Sequence, residues 1–269
     1  MDFYAFYTGQ CFDAHEYLGA HPVPGGTVFR VFAPGARGVS VLTDAGEHPM
    51  QRIYDGNFYE LTLPGAGPGT AYEYRVWPQN GAPADHCDPY GFGMELRPDH
   101  RSIVRDLDAY TFGDSAWQRR GAPGASDPLN IYEMHLGSWR RKPDGGWYTY
   151  EELAEPLADY LTESGYNAVE FLPLAEYPAD ESWGYQATGF FAPTSRYGTA
   201  AGLMALVDTL HRRGIAVLLD FVAAHFALDA YGLARFDGTC LYEYPSGDVG
   251  VSEWGSCNFM HSRGEVRSF

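Results

Sequence analysis

Short runs of β-branched and aromatic residues, separated by turn signals, occupy about the first 110 residues of the chain. Four of these runs are Thr27–Ala33, Val39–Thr43, Phe58–Leu63 and Ala71–Trp77. Pro34-Gly35, Asp55-Gly56 and a Gly/Pro cluster at 64–69 lie between them. Short strands at this spacing are typical of antiparallel sandwiches. We therefore predict an antiparallel β-sandwich domain over residues 1–112.

Residues 113–128 are rich in Gly, Ala, Pro and Ser and are predicted to be a linker. The pattern of apolar and polar residues changes after this segment. A strand is expected at Asn130–His135. Thr149, followed three residues later by Glu152, predicts a capping box at the start of a helix. Pro156 within this helix should bend it or remove one of its hydrogen bonds.

The alternation then continues with a strand at Ala168–Leu172, a helix from near Thr199 to Gly214 and a strand at Ala216–Phe221. Strands that alternate with helices in this way indicate a parallel sheet. A whole (β/α)8 barrel takes about 250 residues, so residues 129–269 are too few to form one. Because this region holds three predicted strands, we predict that it forms the first three βα units of an incomplete (β/α)8 TIM barrel. Polar residues at the C-terminal ends of barrel strands carry the chemistry, which makes Asp220 a candidate, together with His225 five residues later.

The amino-acid composition argues against some classes of binding partner. The formal net charge is −17 and Lys142 is the only lysine, whereas phosphate contacts need clustered Lys and Arg. No nucleic-acid partner is therefore expected. The sequence has no run of about 18 apolar residues and no basic leader, so we expect neither a membrane span nor a signal peptide. Aromatic residues make up 16% of the chain and suit either stacking on sugars or filling a β-rich core.

The cysteines are scattered and form neither a CxxC motif nor a metal-ligand spacing. They are Cys11, Cys87, Cys240 and Cys257. This usage predicts reduced thiols, a cytoplasmic location and no metal site. No cofactor is predicted either.

An ordered set of motifs resembles the N-terminal part of a glycogen branching enzyme, that is, a 1,4-α-glucan branching enzyme of glycoside hydrolase family 13. The motifs are YEMHLGSW (132–139), EFLPLAEYP (170–178) leading into SWGYQ (182–186), RYGT (196–199) and DFVAAH (220–225). The stretches FRVFAPGA (29–36) and YEYRV (72–76) resemble the N-terminal family 48 carbohydrate-binding module of these enzymes, an early-set immunoglobulin-like sandwich. The resemblance covers nearly the whole chain.

The resemblance implies substrate-binding roles for three residues. Tyr185 would stack its ring on a glucose face, and His225 would donate a hydrogen bond to a hydroxyl of the same sugar. Asp220 would orient neighbouring polar groups and hold negative charge near the developing oxocarbenium ion. Without the resemblance, each of these residues could have a purely structural role. Tyr185 could be a core tyrosine, His225 a buried histidine bonded to the backbone, and Asp220 an aspartate that makes only a structural hydrogen bond.

Four further residues have supporting roles by the same resemblance. Trp183 and Gln186 would shape the loop that presents Tyr185. Glu133 and His135 end the first strand of the barrel region, where structural pairing and contact with the site are both open.

No catalytic acid is predicted within the 269 residues. A retaining glycoside transfer needs two carboxyl groups about 5 Å apart, which the family places after the fourth and fifth barrel strands. No GxRxD-like segment occurs in the chain, and neither Glu170, Glu176 nor Asp180 matches the required positions. The chain is therefore expected to be a truncated enzyme that is inactive alone.

Three functions fit the sequence. The first is the N-terminal part of a branching enzyme, which transfers α-1,4-glucan segments to form α-1,6 branches in glycogen biosynthesis. The second is a non-catalytic α-glucan-binding protein. The third is one half of a split enzyme whose complementing C-terminal chain supplies the acids. In each case the expected partner is an α-glucan such as glycogen or an amylose-like chain.

Overall fold

A computed structural model of the chain describes residues 1–121, 123–124 and 126–269. The chain divides into two compact units, each assembled from separate stretches of sequence. The first unit comprises Met1–Asp106, Ala175–Ala192 and Val222–Phe269, and the second comprises Leu107–Leu174 and Pro193–Phe221.

The secondary structure is rich in short strands. In chain order the strands are β1 (Gly19–Val23), β2 (Gly26–Phe32), β3 (Ala36–Thr43), β4 (Gly46–Pro49), β5 (Gln51–Ile53), β6 (Phe58–Pro64), β7 (Ala71–Pro78), β8 (Ala84–His86), β9 (Ser102–Ile103), β10 (Ile131–Met134), β11 (Ala168–Phe171), β12 (Ala175–Glu176), β13 (Gly189–Pro193), β14 (Ala216–Leu219), β15 (His225–Phe226) and β16 (Cys257–Asn258). The helices are α1 (Phe3–Thr8), α2 (Ser115–Arg120), α3 (Leu136–Trp139), α4 (Tyr150–Glu163), α5 (Ala200–Arg212), α6 (Gly247–Gly250) and α7 (Gly264–Ser268).

Antiparallel sheets form the N-terminal part of the first unit, as predicted. One sheet has the order β1-β2-β6-β5, and the other has the order β4-β3-β7-β8 with β9 also paired to β7. Alternate side chains of the two sheets enter one apolar core, in which Phe29, Val41, Phe58 and Tyr72 are fully buried. The predicted sandwich architecture is confirmed.

Later segments of the chain complete this same core. Their buried or partly buried aromatic members are Phe190, Phe191, Phe226, Phe236, Tyr242, Phe259 and Phe269. Polar contacts accompany them: the Gly35 amide donates to the Asp237 carboxylate at 2.6 Å, and His86 Nδ1 lies 2.9 Å from the Gly232 carbonyl oxygen. The compact units therefore do not follow the sequence boundaries 1–112 and 129–269, because long connections after β11 and β14 carry aromatic side chains that are buried with the sandwich. As a division into domains, those boundaries stay a prediction.

Three parallel strands form the centre of the second unit, in the order β10-β11-β14. Met134 pairs with Phe171, and Phe171 pairs with Leu219, so the strands end level with one another. Helices α4 and α5 cover one face through buried leucines such as Leu157 and Leu206. The predicted start of a TIM barrel is confirmed.

Helix α4 begins where its capping box predicts. The Thr149 side chain accepts from the Glu152 amide, and the Glu152 carboxylate accepts from the Thr149 amide. The helix stays continuous through Pro156, so the loss of one amide donor is tolerated.

The segment 113–128, which was predicted to be a linker, contains the helix α2. Trp117 of α2 is buried against Ala168 and Ala216, the first residues of β11 and β14. His211 stacks on Trp117 at 4.7 Å, and its Nδ1 lies 2.8 Å from the Asp114 carboxylate. One buried aromatic ring is thus enough to anchor this polar stretch. Ala122 and Ala125 of the same segment lie outside the described residues.

Candidate functional site

A tight turn presents the aromatic loop of the first unit. A 3₁₀ turn covers Asp180–Ser182, and the Trp183 amide donates to the Asp180 carbonyl oxygen at 3.2 Å. Trp183 adopts a left-handed backbone with φ of 54°, which costs about 1 kcal/mol for a residue other than glycine. Gly184 follows with φ of 90°, and the Tyr185 amide donates to the Ser182 carbonyl oxygen at 2.9 Å. The turn leaves Tyr185 36% exposed and Trp183 56% exposed.

Gln186 connects this loop to a second loop of the same unit. Its Nε2 donates to the Trp254 carbonyl oxygen at 3.4 Å. One residue later, the Ala187 carbonyl oxygen accepts from the Ala227 amide at 3.0 Å, close to β15. The role of Gln186 in shaping the loop stays a prediction.

His225 is held by side-chain hydrogen bonds at the start of β15. Its Nδ1 lies 2.8 Å from Ser256 Oγ, which in turn lies 2.6 Å from Ser252 Oγ. Antiparallel pairing of β15 with β16 places His225 opposite Asn258. Burial lowers the pKa of His225, so the ring is neutral at neutral pH. Since Nδ1 is engaged by Ser256, Nε2 is the ring nitrogen that can contact a ligand.

Trp254 is a neighbour of His225 that the sequence analysis missed. Its ring centroid lies 5.7 Å from that of His225, with the two planes inclined by 30°, and the Trp254 side chain is 66% exposed. The available signal was a tryptophan in an otherwise polar stretch, next to Gly255. Trp254 therefore links His225, through its ring, with Gln186, through its carbonyl oxygen.

In the second unit, two predicted residues follow the C-terminal ends of parallel strands. Asp220 comes directly after β14, and its amide donates to the Phe171 carbonyl oxygen at 3.0 Å. His135 comes directly after β10, caps α3, and places Nδ1 3.1 Å from Ser138 Oγ. Because the strands end level with one another, Asp220 and His135 lie at the same edge of the sheet, where barrel enzymes hold their site residues.

Glu133 lies one residue before the end of β10. It is exposed and pairs in register with Glu170 of β11. The predicted residues thus fall into two sets: Trp183, Tyr185, Gln186 and His225 belong to the first unit, while Glu133, His135 and Asp220 belong to the second.

Among residues 1–121, 123–124 and 126–269, no group of three or more His, Cys, Asp or Glu side chains is arranged to hold a metal ion. Within the same ranges, no helix combines the length and the apolar character that crossing a bilayer requires.

Two family profiles match separate parts of the sequence. Residues 1–90 match the N-terminal domain of the alpha-1,4-glucan branching enzyme GlgB, and residues 150–235 match the alpha amylase catalytic domain. The second match includes Tyr185, Asp220 and His225.

Relatives extend the similarity over the whole chain. It is 42% identical over 275 residues to the 1,4-alpha-glucan branching enzyme GlgB of Fusobacterium nucleatum, covering 100% of this chain and 45% of that protein. It is 46% identical over 281 residues to GlgB of Rubrobacter xylanophilus, covering 100% of this chain and 39% of that protein. The chain thus spans less than half the length of the curated relatives it matches.

Solved structures of similar fold include a putative alpha amylase from Salmonella typhimurium, with a TM-score of 0.76 and 26% identity over 94% of this chain and 40% of that one. Another is pullulanase from Paenibacillus barengoltzii in complex with maltohexaose and alpha-cyclodextrin, with a TM-score of 0.73 and 25% identity over 93% of this chain and 44% of that one.

Proposed function

We propose that this chain, which corresponds over its whole length to the N-terminal part of the 1,4-α-glucan branching enzymes of glycoside hydrolase family 13, supplies the glucan-binding side of a branching reaction. In that reaction a segment of an α-1,4-glucan is transferred to a 6-hydroxyl, which creates an α-1,6 branch during glycogen biosynthesis. We propose this activity for an assembled barrel and not for residues 1–269 by themselves.

The observation that carries the proposal is the presentation of Tyr185 and His225 in the first unit. A strained left-handed turn holds the Tyr185 loop outward, and Ser256 holds the His225 ring with Nε2 available for a hydroxyl group. A neutral sugar needs an apolar flat surface for affinity and hydrogen bonds for orientation. Trp254 adds a second exposed aromatic face beside His225.

The residues of the second unit receive supporting roles in this proposal. Asp220, at the C-terminal edge of the parallel sheet, would orient neighbouring polar groups at that edge and would not react itself. His135 and Glu133 would support the same edge. The hydrogen bond of His135 to Ser138 favours a structural contribution for this histidine.

The chemical step needs groups that this sequence does not contain. Double displacement requires a nucleophile and an acid/base about 5 Å apart. Glu133 and Glu170 lie opposite each other, but both precede the last residue of their strands, where a side chain lies within the sheet and not beyond its end. No GxRxD segment occurs in residues 1–269. We therefore propose that these residues bind α-glucan and do not branch it unaided.

Affinity electrophoresis in native gels that contain glycogen or amylopectin tests the binding part of the proposal. The chain should be retarded, and Tyr185→Ala or His225→Ala should abolish most of the retardation, because each variant removes a contact with the sugar. Phe12→Ala is the matched control, since Phe12 is an aromatic residue that is 81% exposed and makes no ring contact in the described part of the chain. Equal retardation of the Tyr185→Ala and Phe12→Ala variants would contradict the assigned site.

Iodine staining of amylose tests the second part. Purified residues 1–269 should leave the absorbance of the amylose–iodine complex unchanged over hours. Measurable branching by this polypeptide would refute the proposal that it lacks the reacting acids.

The split enzyme is a second candidate, and the open edges of the parallel sheet support it. Among the described residues, β14 pairs with β11 alone, and Leu219 and Phe221 next to that edge are 56% and 70% exposed. A complementing chain that adds further parallel strands would cover them. Co-expression with the adjacent reading frame should then give a co-purifying complex with branching activity, and separate purification of the two chains would exclude this candidate.

A non-catalytic α-glucan-binding protein is not favoured, because the relatives are named as branching enzymes. We also propose a cytoplasmic location. It is supported by the free thiols of Cys11, Cys87, Cys240 and Cys257, since such thiols persist in a reducing compartment.

A further inference from the structure

Residues 95–101 of the first unit form a loop whose two ends are bonded to each other, and we name this loop the arm. The Glu95 amide donates to the Arg101 carbonyl oxygen at 2.9 Å. The Arg101 guanidinium also donates twice to the Glu95 carboxylate, from Nε at 2.9 Å and from Nη2 at 2.7 Å. Next to Arg101, the ring of His100 stacks on that of Tyr231, with centroids 4.1 Å apart. The arm is therefore fixed at its base.

Arg97, within the arm, forms an ion pair with Asp180 at the start of the turn that presents Tyr185. Arg97 Nε donates to Asp180 Oδ1 at 3.0 Å, and Nη2 donates to Oδ2 of the same carboxylate. A planar guanidinium that donates twice fixes the orientation of a carboxylate as well as its distance. Both residues belong to the first unit. The Asp180 carbonyl oxygen accepts from the Trp183 amide, so Asp180 joins the arm to the turn.

The turn contains backbone strain that neighbouring contacts have to hold. Trp183 has φ of 54°, and a left-handed residue of this kind persists where the surrounding structure determines it. After the turn, the hydrogen bond from Gln186 to the Trp254 carbonyl oxygen holds the loop. Before the turn, the ion pair of Arg97 with Asp180 does so. The cavity between the arm and the loop is about 10 Å³, room for about one water molecule, so these two segments are closely packed.

The effect of this ion pair is local. The side chains of Arg97 and Asp180 are 40% and 43% exposed, and an ion pair with this exposure adds little to the stability of a whole chain. Glu181 follows Asp180, and the Arg97 guanidinium attracts this second carboxylate as well. Without the cation, two adjacent carboxylates would lie in one turn of a chain with a net charge of −17. Their repulsion would favour a more open turn.

We propose that Arg97 is a positioning residue for the glucan site. Through Asp180 it fixes the turn that presents Tyr185, and it does not contact the sugar itself. The inference rests on the proposed function for the role of Tyr185. A sugar binds more tightly to a ring that is already oriented, because ordering a mobile loop on binding costs affinity. The arm thus contributes to sugar binding by holding the loop and not by touching the polymer.

Hydrogen exchange on the free chain tests the positioning step without any glucan. In Arg97→Ala, the amides of Trp183 and Tyr185 should exchange about twofold to fivefold faster, because their hydrogen bonds close the turn that loses its ion pair. Residues 58–64, which form β6, should exchange as in the parent chain, which shows that the antiparallel sheets are intact. Unchanged exchange of the two turn amides would overturn the inference.

Arg75→Ala is the matched control. Arg75 also donates twice to one carboxylate, from Nε and from Nη2 to Asp85 at 2.8 Å each, and it lies in the same unit. Its side chain is 33% exposed, which is close to the exposure of Arg97. Arg75→Ala should leave both the exchange of the turn and the binding of maltoheptaose unchanged. Equal effects of Arg75→Ala and Arg97→Ala would assign them to the general loss of an ion pair and contradict a positioning role.

Titration with maltoheptaose measures the consequence for binding. The dissociation constant should rise about twofold to fivefold in Arg97→Ala, the range expected for the loss of a partly exposed ion pair. Arg97→Lys keeps the charge but not the two-point contact, so its affinity should lie between those of Arg97→Ala and the parent chain. In an Asp180→Ala background, Arg97→Ala should have no further effect, since its partner is absent. Losses that add in the double variant would show that Arg97 acts independently of Asp180, and the inference would be wrong.

Salt provides a signature that the ligand cannot cause itself, because maltoheptaose carries no charge. Raising the ionic strength from about 0.01 M to about 1 M shortens the screening length from about 30 Å to about 3 Å and weakens a partly exposed ion pair. The affinity of the parent chain should therefore fall over this range, and that of Arg97→Ala should change less. The same salt dependence in both proteins would refute the inference.

These results separate the inference from the proposed function. If Tyr185→Ala abolishes retardation in glycogen gels while Arg97→Ala changes neither exchange nor affinity, Arg97 is not a positioning residue and the proposed function stands. If Tyr185→Ala leaves retardation unchanged, the proposed site is wrong, and the inference falls with it whatever Arg97→Ala does to exchange in the turn.

Discussion

The antiparallel and the parallel units differ in how each completes its own core. The antiparallel unit draws segments from distant parts of the sequence: α7 lies against α1, with Ser268 Oγ donating to the Phe6 carbonyl oxygen at 2.9 Å. The parallel unit holds three strands, and apolar side chains such as Leu219 are exposed beside β14. An antiparallel hairpin brings its own partner strand, whereas each parallel strand needs neighbours supplied from elsewhere in the chain. The first arrangement can be completed by a few long connections, and the second only by more strands.

The largest expected effect comes from Phe171→Ala in the central strand of the parallel unit. Phe171 is fully buried, and its loss should lower the free energy of unfolding by about 3–5 kcal/mol. Because that unit has few strands, the variant should lose its parallel sheet in urea well before the parent chain does, as measured by far-ultraviolet circular dichroism.

Phe112→Ala is the control in the same unit, since Phe112 is 45% exposed and its removal should change stability by about 0.5 kcal/mol or less. If the two variants unfolded at the same urea concentration, the stability of the parallel unit would not depend on the buried side chain of its central strand, and the prediction would be wrong.

The next largest effect is the pH dependence of stability that the buried carboxyl group of the antiparallel unit causes. Asp88 is 1% exposed, and burial raises its pKa to about 6 although Tyr72, Tyr74 and the Tyr90 amide donate to it. The native state then keeps a proton that the unfolded chain releases near its ordinary pKa of about 4. The contribution of Asp88 to the free energy of unfolding should therefore fall by about 2–3 kcal/mol as the pH rises from about 4 to 6, and stay level above that.

Asp88→Asn should remove this fall, as measured by urea unfolding at several pH values. Asp99→Asn, which changes an exposed aspartate of the same unit, should keep the pH profile of the parent chain. A profile that fell equally in the parent chain and in Asp88→Asn would assign the pH dependence to other groups.

A smaller effect is expected at the contact between α7 and α1 in the antiparallel unit. A Cβ atom at Gly264 would meet the Tyr7 carbonyl oxygen at 1.9 Å, so one of the two helices must shift. Gly264→Ala should lower the thermal midpoint by an amount that corresponds to about 1–3 kcal/mol. Gly247→Ala is a close match, because Gly247 also begins a short helix and a Cβ atom there meets nothing within 4 Å. Equal midpoints for the two variants would show that the contact of α7 with α1 contributes little.

Local features of the fold could be predicted because their causes are local. The capping box of Thr149 and Glu152 needs only residues three apart, and the strand at Ala216 needs only a run of apolar side chains. Trp117 shows the limit of this reasoning. A polar, glycine-rich neighbourhood indicates a linker, and only contact with Ala168 and Ala216 reveals that the helix around Trp117 is anchored.

The candidate site shows the same limit. Tyr185, His225 and Asp220 could be named because each lies within a short motif. Trp254 and Ser256 could not, since they approach His225 only through the pairing of β15 with β16. Phe190 and Phe191 of β13 lie within residues 129–269, which were predicted as barrel, and the structure packs them, partly buried, against the antiparallel core.

The sequence by itself determined where the three parallel strands, the helices α4 and α5 and several antiparallel strands lie, that the first sheets are antiparallel and the later one parallel, and which branching-enzyme motifs are present. Those properties follow from the order of apolar and polar side chains and from turn residues a few positions apart. Only the tertiary structure decided which distant segments share a core and how His225 is held. Each of these depends on residues far apart in the chain, and no periodicity along the sequence records which of them are buried against each other.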